Sequence, residues 1–479
     1  MLFPTVAFAV FFLVAFTVSW LLRPTYRLWL WVMTGLSFVF YGYIDARFVL
    51  LLAGSIVTSW IFGVLIRRAL TPEGDRTPTS TNLVRTAVVV DLAVLGWFKY
   101  YGFFVDSVAA AARTVGLDLS PPVLEIALPV GISFFTFHAI SYVIDIGRGR
   151  LQPLRLDELA LYMSFFPHLV AGPIVRASEL APQMRAPADP RRIPSGEAFR
   201  LIGFGLFKKV VVSSYLATAI VDPVFGAPAA HGPLDLLVGV YAYAVQIYAD
   251  FSGYTDIAIG CALLLGIRFP QNFDSPYRAL SLQDFWRRWH MTLSRWLRDY
   301  LYVPLGGNRY GERRMYRNLV LTMVIGGLWH GAAVTFVVWG AIHGGFLAGE
   351  RYVKERWHAP AREPVLPPLL LVMLQWLLTF HVVCLAWIFF RADSVGTAFD
   401  IIGGIIGGTQ PSDLVTTLLV VTIGLMLASQ LVPPSVVARG QARFTTLGPR
   451  VQVAVLVGAL TVIDVLGPDG VAPFIYFRF

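Results

Sequence analysis

Long apolar runs recur along the chain, and the short segments between them carry most of its charge. Most of these runs are about 18 to 24 residues long, enough for a helix to cross the roughly 30 Å hydrocarbon core of a bilayer. Lipid satisfies no backbone polar groups, so the runs are predicted to be helical. The clearest runs are residues 3–22, 28–43, 48–66, 83–104, 127–144, 201–221, 235–265, 367–390, 414–432 and 451–466.

Two apolar stretches do not fit a single crossing. Residues 159–174 are short, contain Pro167 and Pro173, and have basic residues on both sides. They are predicted to enter the membrane and return, beside protein or a wet cavity that covers the non-helical backbone. Residues 319–347 also have basic flanks and contain several glycines, which predicts a loosened hairpin or two short helices. The fold class predicted is an all-α polytopic membrane protein with about ten to twelve transmembrane helices plus re-entrant segments.

The charged loops give an orientation. The first and third loops are basic, whereas the second and fourth are balanced or mixed. Residues 268–317 hold ten arginines against four acids. Lysine and arginine collect in cytoplasmic loops, so these segments are predicted to be cytoplasmic and the N-terminus outside. The first run lacks a small-residue cleavage site and is expected to stay as a span.

Composition agrees with this class. Of the 479 residues, 56% are hydrophobic and 14% are charged, against about 25% charged in soluble proteins. The net charge of +9 is therefore assigned to cytoplasmic loops and not to nucleic-acid binding. Cys261 and Cys384 are expected to be inert buried thiols. No linker or repeat divides the chain, so one domain over residues 1–479 is predicted. No motif for metal binding, nucleotide hydrolysis or serine hydrolysis is present.

Ionisable residues at membrane depth are costly and therefore candidates for function. His330 lies in a run of glycine and tryptophan, where small residues allow close approach of backbone or ligand. Burial favours the neutral form of an imidazole, which is the form a general base needs. A structural histidine bonded to a neighbouring helix is the alternative.

A second candidate segment is 285–290 (FWRRWH), followed by charged and aromatic residues up to position 303. This pattern is typical of an amphipathic helix at the cytoplasmic interface. Its arginines serve either as anchors or as ligands for an anionic substrate, such as the phosphates of coenzyme A.

Polar residues also interrupt the run at 250–256. Asp250 and Asp256 are predicted either to orient a histidine or to pair with the apolar-flanked Lys208 and Lys209. The remaining candidates are four further imidazoles, predicted to be packing or polar-network residues: His138, His168, His343 and His381.

Several segments resemble the membrane-bound O-acyltransferase family, in particular its bacterial branch of alginate O-acetylation membrane proteins. They follow one another in the family's order across nearly the whole chain. They are 129–135 (PVGISFF), 166–173 (FPHLVAGP), 248–254 (YADFSGY), 272–277 (NFDSPY), 285–290 (FWRRWH), 302–309 (YVPLGGNR), 327–331 (GLWHG), 386–391 (AWIFFR) and 474–477 (FIYF).

The resemblance implies a ring of helices around a central funnel, with the core motif region at about 127–345. It implies that His330 is catalytic and that His290 is the second functional position. A thioester donor such as acetyl-CoA would arrive from the cytoplasm, with no tightly bound cofactor and no metal. A periplasmic acetyltransferase partner would complete delivery to a polysaccharide. The predicted substrate-binding or orienting residues are Asp250, Ser252, Asn272, Trp286, Arg287, Arg288 and Trp329.

The predicted reaction is acyl transfer. His330 takes a proton from an acceptor hydroxyl, and His290 or a backbone N–H stabilises the oxyanion or positions the donor. D-alanyl transfer to teichoic acid and O-acetylation of peptidoglycan stay open as alternatives. A polytopic transporter, which also has broken helices and polar groups at mid-membrane, is the alternative from another class.

Overall fold

In a computed structural model of the protein, the described residues are 1–117, 127–356, 367–467 and 475, without the side chains of Asp106 and Ala110. Across these ranges the chain forms 21 α-helices joined by short 3₁₀- and π-helical segments, and no strand. This confirms the all-α prediction. The loop residues Asp118, Glu125 and Arg362, and the tail motif 474–477 apart from Ile475, lie outside the described residues.

The chain divides into two compact units. Unit 1 comprises Met1–Phe199 and Ile257–Pro270, and unit 2 comprises Arg200–Asp256 and Gln271–Phe479. Helices α9 (Ser195–Leu206) and α12 (Pro233–Leu264) contribute residues to both units. The prediction of one domain over the whole chain stays a prediction.

Unit 1 is built from apolar helices with local caps at several starts. The Thr5 hydroxyl accepts a hydrogen bond from the Phe8 backbone N–H at 3.2 Å, which satisfies one of the free donors of a helix start. Thr77 and Ser80 form a reciprocal capping box at the start of α4 (Pro78–Thr114). The helices of this unit are α1 (Val6–Leu22), α2 (Tyr26–Gly42), α3 (Arg47–Ala69), α4 (Pro78–Thr114), α5 (Ile132–Gly147), α6 (Leu156–Ser164), α7 (Phe166–Leu169) and α8 (Ala177–Arg185).

The stretch 159–174 is broken, as predicted. Helix α6 ends at Ser164, and the four-residue α7 is followed by non-helical backbone, all of it buried. Gly172 packs so closely that a Cβ there would lie 2.4 Å from Cα of His168. Within unit 1 the His168 ring contacts the carbonyl oxygen of Tyr162 through Nε2 at 2.8 Å. Whether this segment returns to the same membrane face stays a prediction.

Unit 2 contains the rest of the chain. A nearly continuous helix from Ser195 to Gly226 includes π-helical turns at Phe207–Ser213 and Ala217–Val221. The helices that follow α9 are α10 (Ser214–Leu216), α11 (Asp222–Gly226), α12, α13 (Leu282–Arg288), α14 (Met291–Leu297), α15 (Glu312–His330), α16 (Val334–Arg356), α17 (Pro368–Arg391), α18 (Val395–Gly407), α19 (Thr417–Ser429), α20 (Pro434–Thr446) and α21 (Pro449–Leu466).

Helices α15 and α16 form the hairpin that the glycines predicted. A Cβ at Gly340 would lie 2.4 Å from the carbonyl oxygen of Met323, and one at Gly327 would lie 2.2 Å from that of Phe336. These distances leave no room for a side chain, so the two backbones approach directly. The hairpin places His330 at the end of α15, next to its turn.

Six helices among the described residues are long and apolar enough to span a membrane, or seven if the pair α19 and α20, bent by 94°, counts as one span. Several apolar runs that the sequence predicts as spans form helices shorter than 18 residues; for example, α1 has 17 residues and α5 has 16. The predicted count of about ten to twelve spans is therefore not confirmed. Helix α18, between α17 and α19, was not predicted.

Candidate active site

Every predicted site residue lies in unit 2. They come from four places along the chain: the middle of α12, the loop that precedes α13, the α13–α14 corner, and the end of α15. Residues up to 80 positions apart in sequence are thus brought into one unit, from Asp250 to His330.

His330 is buried, with 4% of its surface exposed. Aromatic rings surround it: its ring centroid lies 4.9 Å from that of Trp329, 5.1 Å from Trp339 and 5.2 Å from Phe390. Trp329 was predicted to bind or orient substrate, whereas Trp339 and Phe390 were not predicted. These rings leave the imidazole with little contact to solvent.

His290 is the second of the two residues that form the corner between α13 and α14, and it is fully buried. Its backbone is left-handed, with φ of 42°, a conformation that costs free energy in a residue other than glycine. Asn272 holds this corner. Its backbone oxygen accepts from the Met291 N–H at 2.9 Å, and its side-chain oxygen accepts from the Thr292 N–H at 3.2 Å and hydroxyl at 2.9 Å.

The same Asn272 oxygen fixes the proton position on His290. It lies 3.2 Å from Nδ1 of the histidine, and because it also accepts from a backbone N–H, it must be the carbonyl oxygen. Nδ1 therefore carries the hydrogen and donates it. Burial lowers the pKa of His290 to about 3, so the ring is neutral and Nε2 holds a lone pair. Nε2 is buried and has no hydrogen-bond partner among the described residues.

Trp286 forms a hydrogen bond with a different histidine, His343. Its indole N–H donates to Nδ1 of His343 at 3.3 Å. His343 is fully buried, and its ring centroid lies 4.8 Å from that of Trp339. The sequence suggested only a packing role for His343. The one signal available was its position four residues after Trp339, which places the two side chains on the same face of α16.

The two predicted arginines differ. The Arg288 guanidinium pairs with Asp284 at 3.0 Å and Asp274 at 3.2 Å. Arg287 is exposed. Helix α13, which carries both, is capped by Glu350 of α16, whose carboxylate accepts from the backbone N–H of Leu282 at 2.6 Å. Burial raises the pKa of Glu350, and its bonds to backbone N–H groups oppose that rise.

Asp250 and Ser252 bind the two neighbouring lysines. Asp250 forms a buried ion pair with Lys209 and also accepts from the Ser213 hydroxyl at 3.0 Å and the Ile475 backbone N–H at 3.0 Å. Lys208 donates to Ser252 at 2.8 Å and to Asp256 at 2.6 Å. Ion pairing was one of the two alternatives for these aspartates. A role for Asp250 or Ser252 in orienting substrate stays a prediction.

One group among the described residues has the residue types of a metal site. His231, Asp235 and Asp413 place ligand atoms within 4.8 Å of one another. Both carboxylate oxygens of Asp235 already accept backbone hydrogen bonds, from Asp413 at 3.0 Å and Leu414 at 3.1 Å. These bonds account for the arrangement, and none of the three residues is among the predicted site residues.

Comparison with known proteins decides the family. The sequence model of MBOAT, the membrane-bound O-acyltransferase family, matches residues 119–391. The chain belongs to this family. Among its relatives, a protein named "Probable alginate O-acetylase AlgI" of Pseudomonas aeruginosa is 43% identical over 368 residues, covering 76% of this chain and 67% of the relative.

Two other relatives match a similar share of this chain. The protein of the same name from Pseudomonas syringae is 40% identical over 388 residues, covering 79% of this chain and 70% of the relative. The "Peptidoglycan O-acetyltransferase" of Helicobacter pylori is 36% identical over 407 residues, covering 79% and 73%. The chain is therefore a membrane-bound O-acyltransferase that crosses the membrane several times. All the predicted site residues lie inside the family-matched range.

Proposed function

We propose that this O-acyltransferase passes an acetyl group from a cytoplasmic acetyl thioester to a hydroxyl group for O-acetylation of an extracytoplasmic polysaccharide such as alginate. The observation that carries the proposal is the similarity over most of the chain to relatives whose printed name is alginate O-acetylase. The aromatic enclosure of His330 supports it, because a neutral imidazole is suited to general-base chemistry near pH 7.

In the proposed reaction, His330 removes the proton of the acceptor hydroxyl. The hydroxyl oxygen attacks the thioester carbonyl carbon, and negative charge develops on the carbonyl oxygen. The tetrahedral intermediate then collapses, the carbon–sulfur bond breaks, and the proton passes from His330 to the departing sulfur. General-base help of this kind is typically worth about 10²–10⁴-fold.

His290 has the second role in this proposal. Its neutral ring presents a lone pair at Nε2 because Nδ1–H is committed to Asn272. A lone pair accepts a hydrogen bond and cannot donate one to an oxyanion. His290 therefore positions an O–H or N–H group of the donor, which is the second of its two predicted roles.

The basic loops support the direction of transfer. Residues 268–317 are rich in arginine, and this favours a cytoplasmic location. The exposed Arg287 is suited to the phosphates of coenzyme A. In this proposal the protein lies in the bacterial inner membrane with its N-terminus outside, and a periplasmic acetyltransferase partner takes part in delivery.

The test compares ester-linked groups on the surface polymers of a strain that lacks this protein with those of the same strain carrying it on a plasmid. The expected result is loss of acetyl esters from an exopolysaccharide and their return with the plasmid. Loss of D-alanyl esters, or of acetyl groups on peptidoglycan alone, would support the alternative acyl group or acceptor. Unchanged esters on every polymer would contradict the proposal.

A further inference from the structure

His343 is a buried histidine for which the proposed reaction has no role so far. Its Nδ1 accepts the indole N–H of Trp286, and an indole N–H only donates. Nδ1 therefore holds a lone pair, and in the neutral ring the hydrogen sits on Nε2. This is the opposite tautomer from that of His290, whose Nδ1 donates to Asn272.

The Nε2–H of His343 has no acceptor among the described residues, although the ring is completely buried. The same holds for Nε1–H of Trp339, which has 1% of its surface exposed. A buried donor left unsatisfied costs about 1–3 kcal/mol. Two such donors four residues apart on α16 therefore indicate an oxygen acceptor from outside the described residues, such as a bound substrate.

Trp339 connects this pair of donors with the proposed base. Its ring contacts both His343, with centroids 4.8 Å apart, and His330, at 5.1 Å. Both contacts are edge-to-face, at 65° and 80°. The rings of His343 and His330 thus both contact the indole of Trp339, which carries the second donor.

We propose that Nε2–H of His343, together with Nε1–H of Trp339, binds the thioester carbonyl oxygen and stabilises the negative charge that develops on it during acyl transfer. The inference rests on the proposed function. Each histidine then has its own role. His330 accepts the proton of the hydroxyl, His290 accepts a hydrogen bond from a substrate group, and His343 donates one. Trp286 is then a positioning residue that keeps the hydrogen of His343 on Nε2.

The test uses purified protein in proteoliposomes with labelled acetyl-CoA, unacetylated alginate oligosaccharide and a periplasmic extract that supplies the proposed partner. His343→Phe keeps an aromatic ring and removes the donor, and removal of one such donor lowers kcat by about 10²–10³-fold. KM for acetyl-CoA is expected to change much less. His343→Gln supplies an amide N–H and is expected to restore a substantial part of kcat, while Trp286→Phe lowers kcat less than His343→Phe.

The matched control is His381→Phe, because both ring nitrogens of His381 have partners, Tyr241 at 2.8 Å and the Leu377 carbonyl at 2.7 Å. It should retain wild-type kcat. Wild-type kcat in His343→Phe would overturn the inference. This holds even if the variant unfolds at a lower temperature than the wild type, because Nε2–H would then only bind a buried water. Equal losses in His343→Phe and His343→Gln would overturn it too. A wild-type protein that transfers no label would refute the proposed function, and this inference with it.

Discussion

Asn272 binds His290 across 18 positions of sequence, with its side-chain oxygen 3.2 Å from Nδ1 of the imidazole. Two donors of Thr292 share that oxygen. One side chain thus stabilises a left-handed corner and selects the tautomer of a buried histidine. We therefore propose that Asn272 acts through His290.

Asn272→Ala removes the hydrogen bonds that the Asn272 side chain makes to His290 and Thr292. We expect a fall in acetyl transfer of about 10–100-fold, a range typical of partners that orient a functional histidine. The measurement is O-acetyl content of the polymer made by a complemented deletion strain, with the amount of protein in the membrane determined in parallel. Asn308→Ala, at an exposed position, is the control. Normal acetylation in Asn272→Ala would show that His290 does not need this partner.

The closeness of α15 and α16 predicts a difference between two glycines of one helix. A Cβ at Gly340 would meet the Met323 carbonyl oxygen at 2.4 Å, whereas a Cβ at Gly345 would meet nothing within 4 Å. Gly340→Ala should therefore cost about 1–3 kcal/mol of stability by overpacking, and Gly345→Ala should stay within about 0.5 kcal/mol of the wild type. Thermal unfolding in detergent measures both, and equal midpoints would contradict the packing described here.

This hairpin shows what could be predicted from the sequence. The basic flanks and the glycines at 326, 327, 331, 340, 344 and 345 predicted a loosened hairpin or two short helices, because those residues are local signals. The close packing of two long helices was not predicted. The GLWHG motif likewise pointed to His330. The Trp286–His343 hydrogen bond joins residues 57 positions apart, and no periodicity reports such a contact. The short α18 was missed because its 13 residues fall below the length of a spanning run.

The buried pair Lys209–Asp250 separates a structural from a chemical role. Asp250→Asn removes the charge that Lys209 faces, and loss of one member of a buried pair typically costs about 3–5 kcal/mol. The double variant Lys209→Met with Asp250→Asn should recover most of this stability, along with transfer activity. The readouts are thermal unfolding and acetyl transfer by all three variants. A double variant that folds like the wild type and stays inactive would assign Asp250 to the chemistry.

The lowered pKa of His290 predicts a pH dependence of stability. Its pKa is about 3 in the folded protein, against about 6.5 for an unperturbed histidine. Between these values the unfolded chain binds a proton that the folded chain does not, so stability falls as pH decreases through this window. His290→Asn keeps a residue type that tolerates the left-handed corner and removes the titrating group. Its unfolding midpoint should fall less steeply between about pH 6.5 and pH 4; identical slopes would contradict the buried neutral ring.

We propose that His330 carries out the proton transfer. The test is the transfer of label from acetyl-CoA to alginate oligosaccharide by purified His330→Ala in proteoliposomes with periplasmic extract, beside the wild type and the control His381→Ala. We expect His330→Ala to fold and insert normally and to lose about 10²–10⁴-fold in kcat, while His381→Ala keeps its rate. Label transfer by correctly folded His330→Ala at a rate close to that of the wild type would contradict it.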